Sequence, residues 1–359
     1  MLLGSGCELV SIAAHEIGHA LGFFHTMSRH DRDSHVSINM YNIRPDWRSQ
    51  YNRETTDTNH NYGLPYDMGS IMHYGMTSSS VNMQPSIVPH NRKHQRTMGS
   101  PFISFIDLSM INEHYNCKAL CNRRTSVKCE RGGFPHPRDC RRCICPGGYA
   151  GTRCTERPKG CGRTVNATEE WKTLNDTLGV WWTEREEYSI CHYWIKSPPN
   201  TRIEVELVYF TGNFKHDGCL YAGVEIKTNE DQTLTGYRFC ATEDLGMKLL
   251  SHSNLVPIMT YNKVGVTTTS LRYRYIPTSA PSTTNNSTSS TLPSFNTTAA
   301  PRPTTTNAVN KPHDTFDGRR GLKCVDNPKC SFLVKDGFCK MSFPQRTKKK
   351  FCPKSCGFC

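Results

Sequence analysis

Three histidines and a glutamate near the start of the chain have the spacing of a metal site. The stretch from His15 to His25 reads His-Glu-x-x-His-x-x-Gly-x-x-His. On a helix, His15 and His19 lie four residues apart, so both imidazoles leave the same face. A catalytic zinc needs three protein ligands and one open position. The sequence therefore predicts one Zn²⁺ per chain, held by His15, His19 and His25.

Glu16, beside the first ligand, is the candidate general base. Its carboxylate can take a proton from a zinc-bound water, as hydrolysis requires. The alternative is a helix whose histidines are only structural. Five fixed positions of these residue types coincide by chance on the order of once in 10⁷ starting points, which favours the catalytic interpretation.

A helix and a turn must position these side chains. Residues 10–21 are largely apolar and contain no proline, which predicts a helix. Gly22 allows a left-handed turn that brings His25 back to the first two histidines. A second helix is predicted over residues 102–115, with Ser104 or Asp107 as its cap.

The zinc motif resembles that of the metzincin metalloproteases, and a second stretch narrows the family. Residues 70–74, Ser-Ile-Met-His-Tyr, are similar to the Met-turn of the astacins. The resemblance implies that Met72 forms an apolar floor under the metal. It also implies that Tyr74 is an extra zinc ligand that swings away to stabilise the tetrahedral intermediate.

This resemblance also implies an α+β metzincin-type fold, of which residues 1–117 are the C-terminal part. The implied activity is that of a zinc endopeptidase. Many astacins have a glutamate directly after the third histidine, where it contacts the mature N-terminus. This chain has Thr26 there, so the usual anchor is missing.

Composition favours an extracellular protein. The 359 residues include 18 cysteines, a density typical of oxidising compartments. Five Asn-x-Ser/Thr glycosylation sites lie outside the protease segment, at Asn166, Asn175, Asn285, Asn286 and Asn296. No apolar run is long enough to span a membrane.

The net charge of +13 is concentrated in residues 118–159 and 311–359. In a secreted chain this basicity does not indicate nucleic-acid binding.

Two modules are expected after the protease segment. Residues 118–155 resemble an EGF-like module, because Cys143-x-Cys145 is followed by Pro-Gly-Gly-Tyr and Cys154. Residues 161–276 resemble a CUB domain, a β-sandwich, with alternating strand patterns at residues 202–207 and 271–275. The calcium-binding aspartate of many CUB domains is replaced by Ala222. The disulfides implied by these resemblances are Cys121–Cys140, Cys129–Cys143, Cys145–Cys154, Cys161–Cys191 and Cys219–Cys240.

The end of the chain combines a linker with a third small module. Residues 277–312 are rich in Ser, Thr and Pro and are expected to be a disordered spacer. Residues 324–359 resemble ShK-toxin-like (ShKT) domains, small disulfide-rich modules. The implied pairs are Cys324–Cys359, Cys330–Cys352 and Cys339–Cys356. This order of modules is similar to that of nematode astacins.

Cys7 and Cys117 remain unpaired in this scheme. In astacins their counterparts pair with cysteines further upstream, so we expect an N-terminally truncated protease domain. The parent protein is expected to be a secreted zinc endopeptidase acting on extracellular matrix or cuticle-type proteins. The alternative is a non-catalytic secreted binding protein. Its EGF-like, CUB and ShK-like modules would dock to matrix, and its protease part would be an incomplete remnant.

Overall fold

The computed structural model describes residues 9–211 and 214–278, Gly4, Cys7, and part of the C-terminal module. The side chains of residues 181–183 are not described. The chain divides into two compact units, residues 1–278 and residues 279–359. In the second unit the described residues are Asp326, Cys330, Val334, Cys339, Gln345, Lys348, Lys349 and 352–358.

Two α-helices lie in the protease segment, and both predicted helices are confirmed. α1 is Val10–Ala20 and has no side-chain cap at its N-terminus. α2 is Phe105–His114, three residues shorter at its start than predicted. The reason is a capping box: Ser104 accepts a hydrogen bond from the Asp107 backbone, and the Asp107 side chain accepts one from the Ser104 backbone. Both candidate caps are therefore used. None of the described helices is long and apolar enough to cross a membrane.

The strands, in chain order, are β1 Val36–Ile38, β2 Ile87–Pro89, β3 Phe134–His136, β4 Asp139–Ile144, β5 Thr164–Asn166, β6 Lys172–Lys196, β7 Thr201–Phe210, β8 Ala222–Ile226, β9 Tyr237–Phe239, β10 Lys248–Leu250 and β11 Leu255–Pro277. β1 and β2 form a small antiparallel pair in the protease segment. That segment otherwise consists mainly of short 3₁₀ turns and loops. Its own core contains Met27, Val36, Ile43, Tyr51, Tyr66, Met68, Ile87 and Met98.

β5 to β11 form one sheet, in which β6 and β11 are long antiparallel partners. One half of β11 pairs with β8, whereas the other half pairs with β7. The register of β6 and β11 shifts between Asn262 and Val266. Gly179 and Gly265 have positive φ there, and a Cβ on Gly179 would lie 1.9 Å from the Gly265 oxygen. The two glycines therefore lie at the irregularity that divides both long strands into two halves.

The predicted strand patterns at residues 202–207 and 271–275 are confirmed within β7 and β11. Ile203, Val205, Leu207, Leu271 and Tyr273 are buried, and they belong to one core with residues of β6, β8 and β9. We use the name CUB-like domain for residues 161–276.

Disulfides join the cysteines of the small modules. β3 and β4 pair within residues 118–155. The structure contains the bonds Cys121–Cys140, Cys129–Cys143, Cys145–Cys154, Cys161–Cys191, Cys219–Cys240, Cys330–Cys352 and Cys339–Cys356. Cys7 and Cys117 are free thiols. The expected Cys324–Cys359 bond lies outside the described residues, as do most of the linker and Asn285, Asn286 and Asn296. Asn166 and Asn175 are exposed.

Candidate metal centre

The three histidines of the motif converge on one point. His25 Nε2 lies 3.0 Å from His19 Nε2 and 3.3 Å from His15 Nε2. Among the described residues, these three form the one group of His, Cys, Asp or Glu side chains that could hold a metal ion. Zn–N bonds of about 2.0–2.1 Å in a tetrahedral site separate neighbouring nitrogens by roughly 3.3 Å. The residues present therefore fit a zinc ion.

Local backbone geometry brings the third histidine to the other two. His15 and His19 lie four residues apart on α1. Gly22 has φ of +96°, the left-handed conformation predicted for it, and reverses the chain. Directly after His25, the Thr26 N–H donates to the Met72 carbonyl at 3.0 Å. This bond fixes the returning chain to residues 70–74, the segment called the Met-turn below.

Hydrogen bonds on the far side of two rings orient their metal-facing nitrogens. His15 Nδ1 lies 2.8 Å from the Ile71 carbonyl, and His19 Nδ1 lies 2.8 Å from the Phe23 carbonyl. A carbonyl oxygen can only accept, so each Nδ1 carries the hydrogen. In the neutral ring, Nε2 then has a lone pair available for a metal.

Burial keeps two of the three histidines, His15 and His25, uncharged. Burial lowers the pKa of His25 to about 3, and the neighbouring His19 and His15 act in the same direction. Burial also lowers the pKa of His15. Neutral imidazole is the form that ligates metal, so these two side chains are ready to bind zinc at neutral pH.

Met72 is fully buried and packs against α1. A Cβ added to Gly18 of α1 would lie 2.5 Å from Met72 Sδ, so the absence of a side chain at residue 18 permits this close packing. The turn itself is held by α2, because Asp107 accepts hydrogen bonds from the Ser70 hydroxyl at 2.6 Å and the Ile71 N–H at 3.1 Å. The Thr26 hydroxyl donates to Ser70.

The Tyr74 side chain lies beside His25. Its ring centroid lies 4.3 Å from that of His25 and 5.7 Å from that of Tyr51. Burial raises the pKa of Tyr74 to about 12, with smaller contributions from Tyr51 and Glu16. At neutral pH the side chain is therefore a phenol that can donate a hydrogen bond.

Glu16 is half-buried on α1. Within the described part of the chain its carboxylate makes no hydrogen bond or ion pair. Burial lowers the pKa of His15 and raises that of Tyr74; the nearby Glu16 charge opposes the first shift in part and adds to the second. A carboxylate without a fixed partner, next to the metal site, can accept a proton from a water molecule there.

Sequence reasoning missed two residues that shape the site. His73 is buried; its Nδ1 donates to the Tyr74 carbonyl at 2.7 Å, so its Nε2 accepts from the Tyr66 hydroxyl at 2.7 Å. Burial lowers the pKa of His73 to about 4, which keeps it neutral. Asp107 was expected only as a helix cap. No spacing rule signals either set of contacts. His73 bonds to Tyr74 and Tyr66 within one irregular stretch of chain, and Asp107 bonds to Ser70 and Ile71, more than 30 residues away in sequence.

This chain is similar to known families and proteins. The family model described as Astacin, a peptidase family, matches residues 1–116, and the ShK domain-like model matches residues 323–359. Zinc metalloproteinase nas-31 of Caenorhabditis elegans is 50% identical over 275 residues, which are 76% of this chain and 45% of the relative. The first relatives compared are covered to 45%, 42% and 52%, so the chain spans about half their length.

Zinc metalloproteinase nas-25 of Caenorhabditis elegans is 32% identical over 281 residues, which are 76% of this chain and 70% of the relative. Among solved structures, High choriolytic enzyme 1, a hatching enzyme zinc-protease from the medaka Oryzias latipes, is 38% identical. That match covers 31% of this chain and 55% of the other, with a TM-score of 0.29. The family match over the three histidines and the extensive similarity to nas-25 show that the chain belongs to the astacin family of zinc metalloproteases.

Proposed function

We propose that this chain carries the zinc site of a secreted endopeptidase that hydrolyses peptide bonds in extracellular matrix or cuticle-type proteins. The observation that carries the proposal is the convergence of three imidazoles beside a glutamate that has no hydrogen-bond partner among the described residues. Seven disulfides among the described residues support an oxidising, extracellular setting. The basic charge of residues 118–159 favours acidic surroundings such as matrix polymers.

Each of the chain's own groups has a role in this proposal. His15, His19 and His25 are the zinc ligands, and Met72 packs beneath them. The chemistry that a bound zinc ion supplies is Lewis acidity toward the scissile carbonyl and water. Glu16 accepts the proton of the attacking water and delivers it to the leaving amine. The Tyr74 phenol donates to the oxygen on which negative charge develops; its further role as a zinc ligand is part of the same proposal.

Glu16→Gln tests the assignment directly. The variant keeps the shape of the side chain but removes the proton acceptor, so cleavage of a denatured protein should fall about 10²- to 10⁴-fold. About one equivalent of zinc should still bind, because the ligands are untouched. Glu113→Gln is the matched control: it alters a glutamate on α2 that pairs with Lys118, and it should leave turnover unchanged.

Two results would contradict the proposal. Turnover of Glu16→Gln close to that of the unaltered chain would remove Glu16 from the mechanism. An unaltered chain that binds zinc but cleaves nothing would favour the alternative function, a non-catalytic secreted binding protein. Whether or not the chain is catalytic, a His15→Ala variant should lose zinc binding, because one of the three proposed ligands is removed. This variant therefore tests metal binding separately from catalysis.

A further inference from the structure

The CUB-like domain contacts the protease segment through a carboxylate and a backbone amide. Asp217 Oδ2 accepts hydrogen bonds from the Thr77 N–H at 2.6 Å and from the Thr77 hydroxyl at 2.7 Å. Asp217 lies between β7 and β8, and Thr77 lies three residues after Tyr74. The contact therefore fixes the chain just beyond the Met-turn.

A second contact fixes the chain just before the Met-turn. Asp67 is 2% exposed. Its carboxylate accepts hydrogen bonds from the Thr235 N–H at 3.2 Å, the Thr235 hydroxyl at 3.0 Å and the Gly69 N–H at 3.0 Å. Thr235 belongs to the CUB-like domain. A buried carboxylate needs such donors, and two of these three come from the other domain.

A buried ion pair lies at the same junction. Arg238 donates to Glu225 at 2.9 Å, and both side chains are almost fully buried. Arg238 also contacts the protease segment. Its guanidinium donates to the Ser100 hydroxyl at 2.6 Å, and its backbone N–H donates to the Thr97 hydroxyl at 3.1 Å. Charged groups are buried here only because partners from both domains surround them.

Glycines on the protease side allow this close approach. A Cβ on Gly69 would lie 2.3 Å from Thr235 Cγ2, and a Cβ on Gly75 would lie 2.5 Å from Asp217 Cβ. A surface that is merely adjacent to a neighbouring module would have room for a methyl group. These two positions have none, which indicates that the two surfaces fit each other closely.

We infer that the CUB-like domain is a structural part of the catalytic unit, and that its Asp217 and Thr235 are positioning residues. They hold the two ends of residues 67–77, the segment that carries Met72 and Tyr74, against α1. The surface of the CUB-like domain that carries Asp217 and Thr235 is therefore covered by the protease segment of the same chain. It is not a docking surface for other molecules. Only the kinetic test of this inference rests on the proposed function.

Asp217→Ala in the full chain tests one end of the segment. Without the acceptor, hydrogen exchange at the amides of residues 75–78 should accelerate by about tenfold or more. Since Tyr74 becomes less well placed, kcat should fall about fivefold or more while KM changes less than about twofold. Asp217→Asn is the matched control: its amide oxygen can accept both bonds from Thr77, so exchange and kcat should stay close to those of the unaltered chain.

Thr235→Val tests the other end, with Thr235→Ser as its control. Valine keeps the shape but removes the hydroxyl that donates to Asp67, whereas serine keeps the hydroxyl. Valine should therefore accelerate exchange at Gly69–Met72, and serine should not. Unchanged exchange in both Asp217→Ala and Thr235→Val would overturn the inference. Because exchange does not depend on catalysis, an inactive chain would contradict the proposed function without deciding this question.

Discussion

The Nδ1 hydrogen bonds of His15 and His19 show how backbone carbonyls prepare a metal site. The Ile71 and Phe23 carbonyls each accept from one ring, which selects the tautomer with a lone pair on Nε2. Ile71 belongs to the Met-turn, and Phe23 follows the turn at Gly22. The two ligands on α1 are thus oriented by the segments that also deliver Tyr74 and His25.

Tyr74→Phe is a prediction at this scale. A tyrosine phenol is protonated at neutral pH, and burial raises the pKa of Tyr74 further, to about 12. Loss of an oxyanion donor should lower kcat by about 10²- to 10³-fold with little change in KM. Steady-state kinetics on a peptide substrate measures both constants.

Tyr51→Phe provides the control for that experiment. The Tyr51 hydroxyl donates to the Ser78 carbonyl at 2.6 Å, so it is engaged away from the histidines. Its removal should lower the melting temperature but leave kcat within about twofold, because only a structural hydrogen bond is lost. Equal losses of kcat in both variants would argue against a specific role for Tyr74.

At the scale of elements, the N-terminus of α2 joins helix capping to the metal site. Ser104 and Asp107 cap the helix reciprocally, and the same Asp107 carboxylate accepts from Ser70 and Ile71 of the Met-turn. One buried side chain therefore sets the position of a helix and of the turn that packs beside the three histidines. Changes in its charge should affect both.

The pH dependence of stability tests this arrangement. Burial raises the pKa of Asp107 from 3.8 to about 6, although the donors from Ser70, Ser104 and Ile71 oppose the shift. Between about pH 4 and pH 6 the folded state then binds more protons here than the unfolded state. The contribution of Asp107 to stability is present below pH 4 and is lost as pH rises through 6, by up to about 3 kcal/mol.

This effect can be isolated by comparison with Asp107→Asn, which cannot titrate. Unfolding is measured for both proteins from pH 4 to pH 8 in the presence of a chelator, so that zinc release does not contribute. The stability of the unaltered chain relative to the variant should decrease between pH 4 and pH 6 and stay level above. A difference that is constant with pH would show that Asp107 titrates normally.

At the scale of the whole molecule, direct contacts join the protease segment to the CUB-like domain. Arg238 contacts Glu225 within the CUB-like domain and Ser100 in the protease segment. Trp194 donates to the Gly148 carbonyl, and Lys227 donates to the Gly147 carbonyl. Residues 118–155 therefore contact the CUB-like domain as well, and the first 278 residues form one compact unit.

Glu225→Gln should destabilise this unit strongly. The variant removes the charge that pairs with buried Arg238. Both Glu225 oxygens accept hydrogen bonds, from Gly236 N–H and from Arg238, so the NH2 group of the glutamine must face one of these two donors. Breaking a buried ion pair costs about 3–5 kcal/mol. Glu204→Gln is the control, because Glu204 pairs with the more exposed Arg274 and such surface pairs contribute about 0–1 kcal/mol. Thermal unfolding of both variants should differ clearly; similar melting temperatures would contradict the role of the buried pair.

The sequence by itself determined the family, the two helices of the protease segment and the strand patterns of the CUB-like domain. It did so because these features depend on local spacing: four residues between helical ligands, alternation along a strand, and a glycine where the chain must turn. The same spacing brings His15, His19 and His25 together in the structure.

Only the tertiary structure decided which distant groups support the site. Thr235 lies 168 residues from Asp67, and Asp217 lies 140 residues from Thr77. Asp107 likewise appears in the sequence as a cap and nothing more. Such contacts arise when loops without periodic patterns pack against one another and their buried polar groups must find partners. No local spacing encodes that pairing, so it becomes visible only in the folded chain.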